Sequence, residues 1–334
     1  MRILRHFEAV PAGLRGGSVA LGNFDGFHRG HQAVLGKAAQ QADTLGAPLG
    51  VVVTEPHPRS FFNPDAPPFR LMSFRTKAHY LERFGVDLML ALPFDAALAS
   101  MLAQDFVMRV LVEGLEVRHL VVGYDYRFGK GRGGDVNVLR WMAEMEGFSV
   151  SVVEPVSEHG VVHSSSLVRQ RIAAGDVRAA AALLGHWWRV EGRVETGDQR
   201  GRQLGFPTAN MTLDDYIRPA YGVYAVRVLI EEGAFQGAYD GVANFGRRPT
   251  IGDDAELLEV HLFDFSGDIY GHHLQVSFVE HIRAERRFDG LDALTAQIAR
   301  DRETARRLLT DPDHAPDIFP PVTRNTIVTA SQPC

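Results

Sequence analysis

The sequence predicts an α/β unit built on a parallel sheet, followed by an antiparallel β unit covered by a C-terminal helix. Two observations carry this expectation. Short apolar runs alternate with helical periodicity through the first half, whereas after Gly185 strand signals follow one another without helices between them. Alternation implies parallel strands joined by helical crossovers, with both faces of the sheet covered. Consecutive strands imply an antiparallel barrel or sandwich.

Taken in order, residues 19–22 form a short apolar strand, and Ala33, Val34, Ala38, Ala42 and Leu45 mark a helix over 30–45. The run 49–54 is continuously apolar, as in a strand buried on both faces. Ser73, a good N-cap residue, opens a helix to Phe84. Strand signals recur at 86–92, 119–122 and 148–153, with helices at 105–113 and 136–146 between them. The first half is therefore expected as a Rossmann-like sheet, whose ligands bind beyond the carboxyl ends of the strands. Helices at 167–174 and 177–184 close it.

The second half carries strand signals at 189–195, 222–230, 235–244, 257–265 and 273–280. Val190, Gly192 and Val194 alternate with Arg189, Glu191, Arg193 and Glu195, the period-two pattern of a half-buried strand. Leu291, Leu294, Ile298, Ala305 and Leu308 form the stripe of a helix over 291–309. The expected units are 1–185 and 186–310, with a poorly ordered Pro-rich tail over 311–334.

Composition narrows the function classes. Hydrophobic residues make up 45% and charged residues 23% of the 334, the profile of a globular protein. No apolar run approaches the roughly 18–20 residues that span a bilayer, so no membrane association is expected. The basic start, from Met1 to Phe7, lacks the apolar segment of a signal peptide. The single cysteine, Cys334, leaves no internal disulfide, which favours a reducing cytoplasm. A net charge of −6 argues against a nucleic-acid partner. Two short basic stretches, at Arg127, Lys130 and Arg132 and at Arg200 and Arg202, suit a small polyphosphate better than a duplex. On composition alone they read as solvated loops. Self-association is left open.

Two constellations stand out. Gly22-Asn23-Phe24-Asp25-Gly26-Phe27-His28-Arg29-Gly30-His31 joins the first strand to the first helix. Its glycines allow close backbone approach, and the helix start offers unpaired amides to an anion. His28 and His31 face one side of the first turn, where they could neutralise charge on a reacting phosphate. The second, residues 197–210, holds Gly197, Gly201, Arg202, Gly205, Thr208 and Asn210 in one loop. Such a loop can wrap a triphosphate and ligate Mg²⁺ through oxygen. It lacks the Gly-Lys-Ser/Thr of a Walker A loop, and its composition also fits a flexible connection.

The longer form of the first constellation resembles the HxGH signature of nucleotidyltransferases, as it stands in the bacterial bifunctional riboflavin kinase/FMN adenylyltransferase family. Glu55-Pro56-His57-Pro58 fits that family, although Thr54 stands where a phenylalanine is usual. The stretch from Val122 to Gly129 is similar to VGxDFRFG, with Tyr126 for the first phenylalanine. Ser164-Ser165-Ser166-Leu167-Val168-Arg169 is similar to SSTxIR, with Ser166 for threonine and Val168 for isoleucine. The second constellation resembles the family's GxxxGRxLGFPTAN, and further matches run to Phe288, so the likeness spans about 16–309.

The resemblance implies a nucleotidyltransferase unit followed by a riboflavin kinase barrel, using riboflavin, FMN and ATP and yielding FAD. It implies that His28 and His31 stabilise the α-phosphate and that Ser164, Ser165, Ser166 and Arg169 bind the ATP phosphates. Gly22, Asn23, Gly30 and Asp125 would contribute to the nucleotide, Asn23 and Asp125 also to the flavin. In the second unit Gly197, Gly201, Arg202, Gly205, Thr208 and Asn210 would hold Mg²⁺·ATP, with Thr208 and Asn210 on the metal. Glu259 would be the general base, and Arg283, Glu285 and Phe288 would contact the flavin. A chain with one working module, or one that binds flavin without turnover, is the rival reading.

Overall fold

The computed structural model describes residues 1–196, 205–247, 256–315 and 324. It divides into two compact units, one of Met1–Ala66, Phe74–Ser164 and Phe319–Cys334, the other of Pro67–Ser73 and Ser165–Ile318.

The first unit is a six-stranded, all-parallel sheet. Its strands are β1 (Arg2–Leu4), β2 (Ser18–Leu21), β3 (Leu49–Glu55), β4 (Leu88–Pro93), β5 (His119–Gly123) and β6 (Ser149–Val153), in the order β1-β4-β3-β2-β5-β6. The expected strands are all present. The edge strand β1 was not expected, because three residues are too few to show a period. From β2 the chain winds outward through β3 to β4, then returns to place β5 on the other side of β2. The loops after β2 and β5 therefore lie side by side at the point where the winding reverses, the usual ligand position in such sheets.

Helix α1 (Arg29–Leu45) buries Val34, Leu35, Ala38, Ala39 and Ala42, and Gly46 ends it in the left-handed region at φ 57°. The short helix α2 (Pro58–Phe62) follows β3, and α3 (Phe74–Phe84) follows it. Ser73 does more than open α3, since its hydroxyl donates to Glu191. After the single turn α4 (Ala96–Ser100), α5 (Ala103–Phe106) passes directly into a π-helical stretch, Val107–Gly114. An ordinary helix was expected there. The wider turn shows in the amide of Leu115, which reaches back five residues to Val110. Helix α6 (Val136–Glu146) matches its expected bounds and is capped by Asp135. A small hairpin, β7 (Ser157–Glu158) and β8 (Val161–Val162), precedes Ser164.

By packing, α7 (Ser165–Ala173) and α8 (Val177–Leu184) go with the second compact unit. Val168, Ile172, Val177, Ala180, Leu183 and Leu184 belong to the same core as the barrel interior. The segment Pro67–Ser73 joins it too: Leu71 is buried in that core, and its carbonyl accepts from the indole N–H of Trp188 at 2.9 Å.

The barrel strands are β9 (Trp188–Arg193), β10 (Ala209–Met211), β11 (Gly222–Ile230), β12 (Gly237–Arg247), β13 (Glu256–Leu262) and β14 (His273–Ala284). They run antiparallel in the order β10-β13-β12-β11-β14-β9. A bridge in which the amide of Glu195 donates to Asn210 at 2.8 Å joins the two edges. Tyr224, Val226, Phe245, Leu258, Val260, Val276 and Phe278 fill the interior. The alternate residues Val223, Ala225, Val242 and Val279 face outward against Ala305 and Leu309 of α9 (Leu291–Thr310). The tail expected from Asp311 begins as packed chain. His314 is 2% exposed, and the Arg227 guanidinium donates to the carbonyls of Leu309 and His314.

Candidate functional sites

In the first unit the backbone builds the site. His28 is the N-cap residue of α1, and its Nδ1 accepts from the amide of His31 at 3.4 Å. That bond places the proton of the neutral ring on Nε2. The two imidazoles stack with centroids 3.7 Å apart. Gly30 permits this: a Cβ there would lie 3.0 Å from the His28 ring and 3.4 Å from the carbonyl of His163. Gly22 has a parallel task, since a Cβ would meet the ring of Phe24 at 3.2 Å. Phe24, at φ 50° and buried, meets His31 edge-on at 5.3 Å and supports it from beneath.

Asn23 is anchored by the residue that departs from the family pattern. Its Oδ1 accepts from the hydroxyl of Thr54 at 2.8 Å and from the Thr54 amide at 3.4 Å. The carbonyl end is thereby committed, and the amide end is the part that can serve a ligand. Asp125 lies exposed in the loop after β5, beside the loop of Asn23 at the sheet's reversal point. Glu55 ends β3. Three aromatic rings without a sequence signal cluster nearby in the fold: Phe61 and Phe62 of α2 and Phe94 after β4, with centroids 5.3–5.7 Å apart. Phe62 is 62% exposed, unusual for a ring with so many aromatic neighbours.

The serine-rich segment is split. Ser164 ends the first unit, directly after the buried His163, while Ser165, Ser166 and Arg169 start α7 in the second. Arg169 has partners in its own unit: Nε donates to the carbonyl of Phe69 at 2.7 Å, and the guanidinium lies 5.4 Å over the Phe69 ring.

In the barrel the strand register builds the site. Glu259 of β13 pairs with Asn210 of β10 on one side and Asn244 of β12 on the other. Paired residues of an antiparallel sheet share a face, and this face points away from the core that holds Leu258 and Val260. Asn210 is 5% exposed, and its buried Oδ1 has no hydrogen-bond partner among the described residues. An orphaned amide oxygen beside a carboxylate is a fitting ligand for a hard cation. Thr208, half-buried, lies two residues earlier. His261, on the same face as Glu259, donates from Nδ1 to the carbonyl of Pro207 at 2.9 Å and so fixes the chain leading to Thr208. Burial holds its ring below the ordinary histidine range.

Arg283 grips α9, its Nε and Nη2 bound to the carboxylate of Asp301 at 2.7–3.0 Å. Phe288 packs under both Arg283 and Arg286, 5.6 and 4.9 Å from the ring centre. Of the three expected flavin contacts, these two are thus already joined to α9 and to each other. Glu285 lies over Gly246, where any Cβ would collide with its carboxylate. Gly205 is exposed at φ 82°. Gly197, Gly201 and Arg202 lie outside the described residues.

Comparison with known proteins finds two families, one after the other along the chain. Residues 11–167 match the FAD synthetase family and residues 184–309 the riboflavin kinase family. The chain is 42% identical to the bifunctional riboflavin kinase/FMN adenylyltransferase of Escherichia coli, covering 93% of this chain and all of that one. The Bacillus subtilis protein of the same name is 36% identical over 88% of this chain and 92% of its own. Among solved structures, one described as a macrolide-efflux protein from Streptococcus pneumoniae superposes with a TM-score of 0.80 at 31% identity, over 91% of this chain and 98% of that one. Among the described residues no helix is long and apolar enough to cross a membrane. With both family models matched in order, and relatives alike over nearly their whole length, the chain belongs to the bifunctional riboflavin kinase/FMN adenylyltransferase family.

Proposed function

We propose that the chain phosphorylates riboflavin to FMN at the barrel site and adenylylates FMN to FAD at the parallel-sheet site, in the cytoplasm. The observation that carries the reading is the pair of stacked imidazoles at the start of α1, set where the winding of the sheet reverses.

For adenylylation, an FMN phosphate oxygen attacks the α-phosphorus of ATP and pyrophosphate leaves. The Nε2–H of His28, with His31 stacked on it, donates to the non-bridging oxygens as charge grows there. Amides at the start of α1 add positive potential. Asn23 and Asp125 orient nucleotide and flavin, and the exposed rings of Phe61, Phe62 and Phe94 offer the flavin's tricyclic ring an aromatic surface. Ser164, Ser165, Ser166 and Arg169 serve the phosphates.

For phosphorylation, Glu259 accepts the proton of the ribityl 5′-hydroxyl as that oxygen attacks the γ-phosphorus and ADP leaves. ATP-using enzymes of both families generally need a divalent metal. Thr208 and Asn210 fit Mg²⁺, since the buried Oδ1 of Asn210 lacks a partner among the described residues. Mg²⁺ would there neutralise phosphate charge as it develops. Gly197, Gly201, Arg202 and Gly205 would wrap the triphosphate, with Arg283, Glu285 and Phe288 at the flavin edge.

The test is direct: incubate the purified chain with riboflavin, ATP and Mg²⁺ and separate the flavins with time. FMN should appear first and FAD follow. FMN alone would remove the adenylylation half of the reading, and unchanged riboflavin would remove both.

A further inference from the structure

The outer face of the barrel carries a second cluster of ligand-type side chains. Glu191 of β9, Glu231 just after β11 and His273 at the start of β14 each offer an atom within 4.8 Å of the other two. Strand pairing enforces the meeting. β14 lies between β9 and β11, with His273 opposite Arg193, Gln275 opposite Glu191 and Leu274 opposite Ile230. Leu274, Val190 and Ile230 point into the core, so their neighbours His273, Glu191 and Glu231 point out together.

These groups are not a surface ion pair. Glu191 is 8% exposed, and the His273 and Glu231 side chains are 14% and 15% exposed. Each carboxylate is held from outside by a neutral donor: Ser73 through its hydroxyl to Glu191, and Gln275 through Nε2 to Glu231 at 2.8 Å. Donors of this kind orient the carboxylates around metal ions.

A second observation comes from His273. Its buried Nδ1 lies 2.8 Å from Oε2 of Glu231, yet it makes no hydrogen bond. At that separation a ring N–H would bond if it were directed at the oxygen. The short contact without a hydrogen bond fits two ligand atoms addressed to a common point.

We propose that Glu191, Glu231 and His273 form a binding site for a first-row divalent transition metal of the Zn²⁺ type. An imidazole with two carboxylates favours such an ion over Mg²⁺, which takes oxygen ligands and resists dehydration. Zn²⁺ takes its ligands at about 2.0–2.2 Å, and three donor atoms that lie within 4.8 Å of one another can converge on one such ion. Three protein ligands leave one position of a tetrahedron for water. The site uses none of the residues around Glu259 and lies ten residues from Arg283 along β14, about 30 Å at the rise of a strand. Its effect is to tie β9, β11 and β14 together.

The test uses the full chain, stripped by chelator and held in excess Mg²⁺, titrated calorimetrically with Zn²⁺. The parent should bind one more equivalent of Zn²⁺ than the E231Q/H273Q variant. Zn²⁺ should also raise the parent's unfolding temperature by several degrees and the variant's by less. Riboflavin phosphorylation by the variant in Mg²⁺ reports that the barrel is folded. Should it not fold, H273Q alone keeps both carboxylates, and it should lose Zn²⁺ preference over Mg²⁺. Equal Zn²⁺ stoichiometry and affinity in parent and variants would overturn the proposal. So would displacement of the extra equivalent by the Mg²⁺ already present, since the site would then select a hard cation.

Discussion

In the parallel unit every candidate residue lies beyond the carboxyl end of a strand, whereas in the barrel the candidate base lies within one. His28, His31 and Asn23 are placed by a turn and a helix start, and Asp125 by the neighbouring loop. Glu259 is placed by lateral pairing, with Asn210 and Asn244 on either side. The difference teaches where information about a site resides. A turn is written in consecutive residues, so its glycines and histidines announce it. A register is written across strands 49 residues apart, such as those of Asn210 and Glu259, and appears only once the sheet has formed.

The largest expected effect concerns the boundary that separates the two sites. The riboflavin kinase family match starts at residue 184, yet α7 and α8 put six buried apolar side chains into the barrel core. Each is worth roughly 1.5–3 kcal/mol when fully buried, less for alanine, which together rivals the whole stability of a domain. A fragment starting at His186 should therefore lose its cooperative unfolding transition, while one starting at Ser165 retains it. Both would be expressed and unfolded in urea. A fully cooperative, active fragment from His186 would place the boundary at Gly185.

Next in size is the loss of both imidazoles. H28A/H31A removes the donors aimed at the reacting phosphate, each of a kind worth about 10²–10³ in rate. FAD formation from supplied FMN should vanish, while FMN formation from riboflavin stays near the parent rate. A matching loss in both assays would break the assignment of one site to each unit.

Glu259→Gln is the converse and should be somewhat milder. It keeps the shape of the side chain and removes the basic oxygen, so riboflavin phosphorylation should fall about 10²–10⁴-fold. Adenylylation of supplied FMN should not change. A kinase rate within about threefold of the parent would exclude a contribution of general-base size.

Much of this was legible in the sequence. The alternation of elements, the longer strands of both sheets and the bounds of α6 follow from apolar periodicity, and the turn before α1 from its glycines. What was not legible has identifiable causes. β1 and β10 are three residues long, too short for a period. α7 and α8 continue the helical rhythm of the first half, and periodicity cannot say which sheet a helix packs on. Asn244 is an ordinary strand polar residue until the register sets it beside Glu259, and His261 until the fold brings the carbonyl of Pro207 to it. The cluster of Phe61, Phe62 and Phe94 combines a five-residue helix with a separate strand end.

The smallest expected effect tests the anchoring of one loop. Thr54 stands where the family usually carries phenylalanine, and here its hydroxyl donates to the Oδ1 of Asn23 at 2.8 Å. Thr54→Val keeps the β-branched shape that suits β3 and removes only that donor, while the backbone amide of Thr54 still reaches Oδ1 at 3.4 Å. A single hydrogen bond of this kind contributes about 1 kcal/mol, so adenylylation should fall by about fivefold. If Asn23 positions the bound ligand, the loss should appear mainly in KM, because the imidazoles that act on the phosphate are untouched. Riboflavin phosphorylation should be unaffected, since nothing in the barrel changes. An unaltered KM for both FMN and ATP would mean that Asn23 holds β2 to β3 and has no part in binding, and the site would then rest on α1 and the loop after β5.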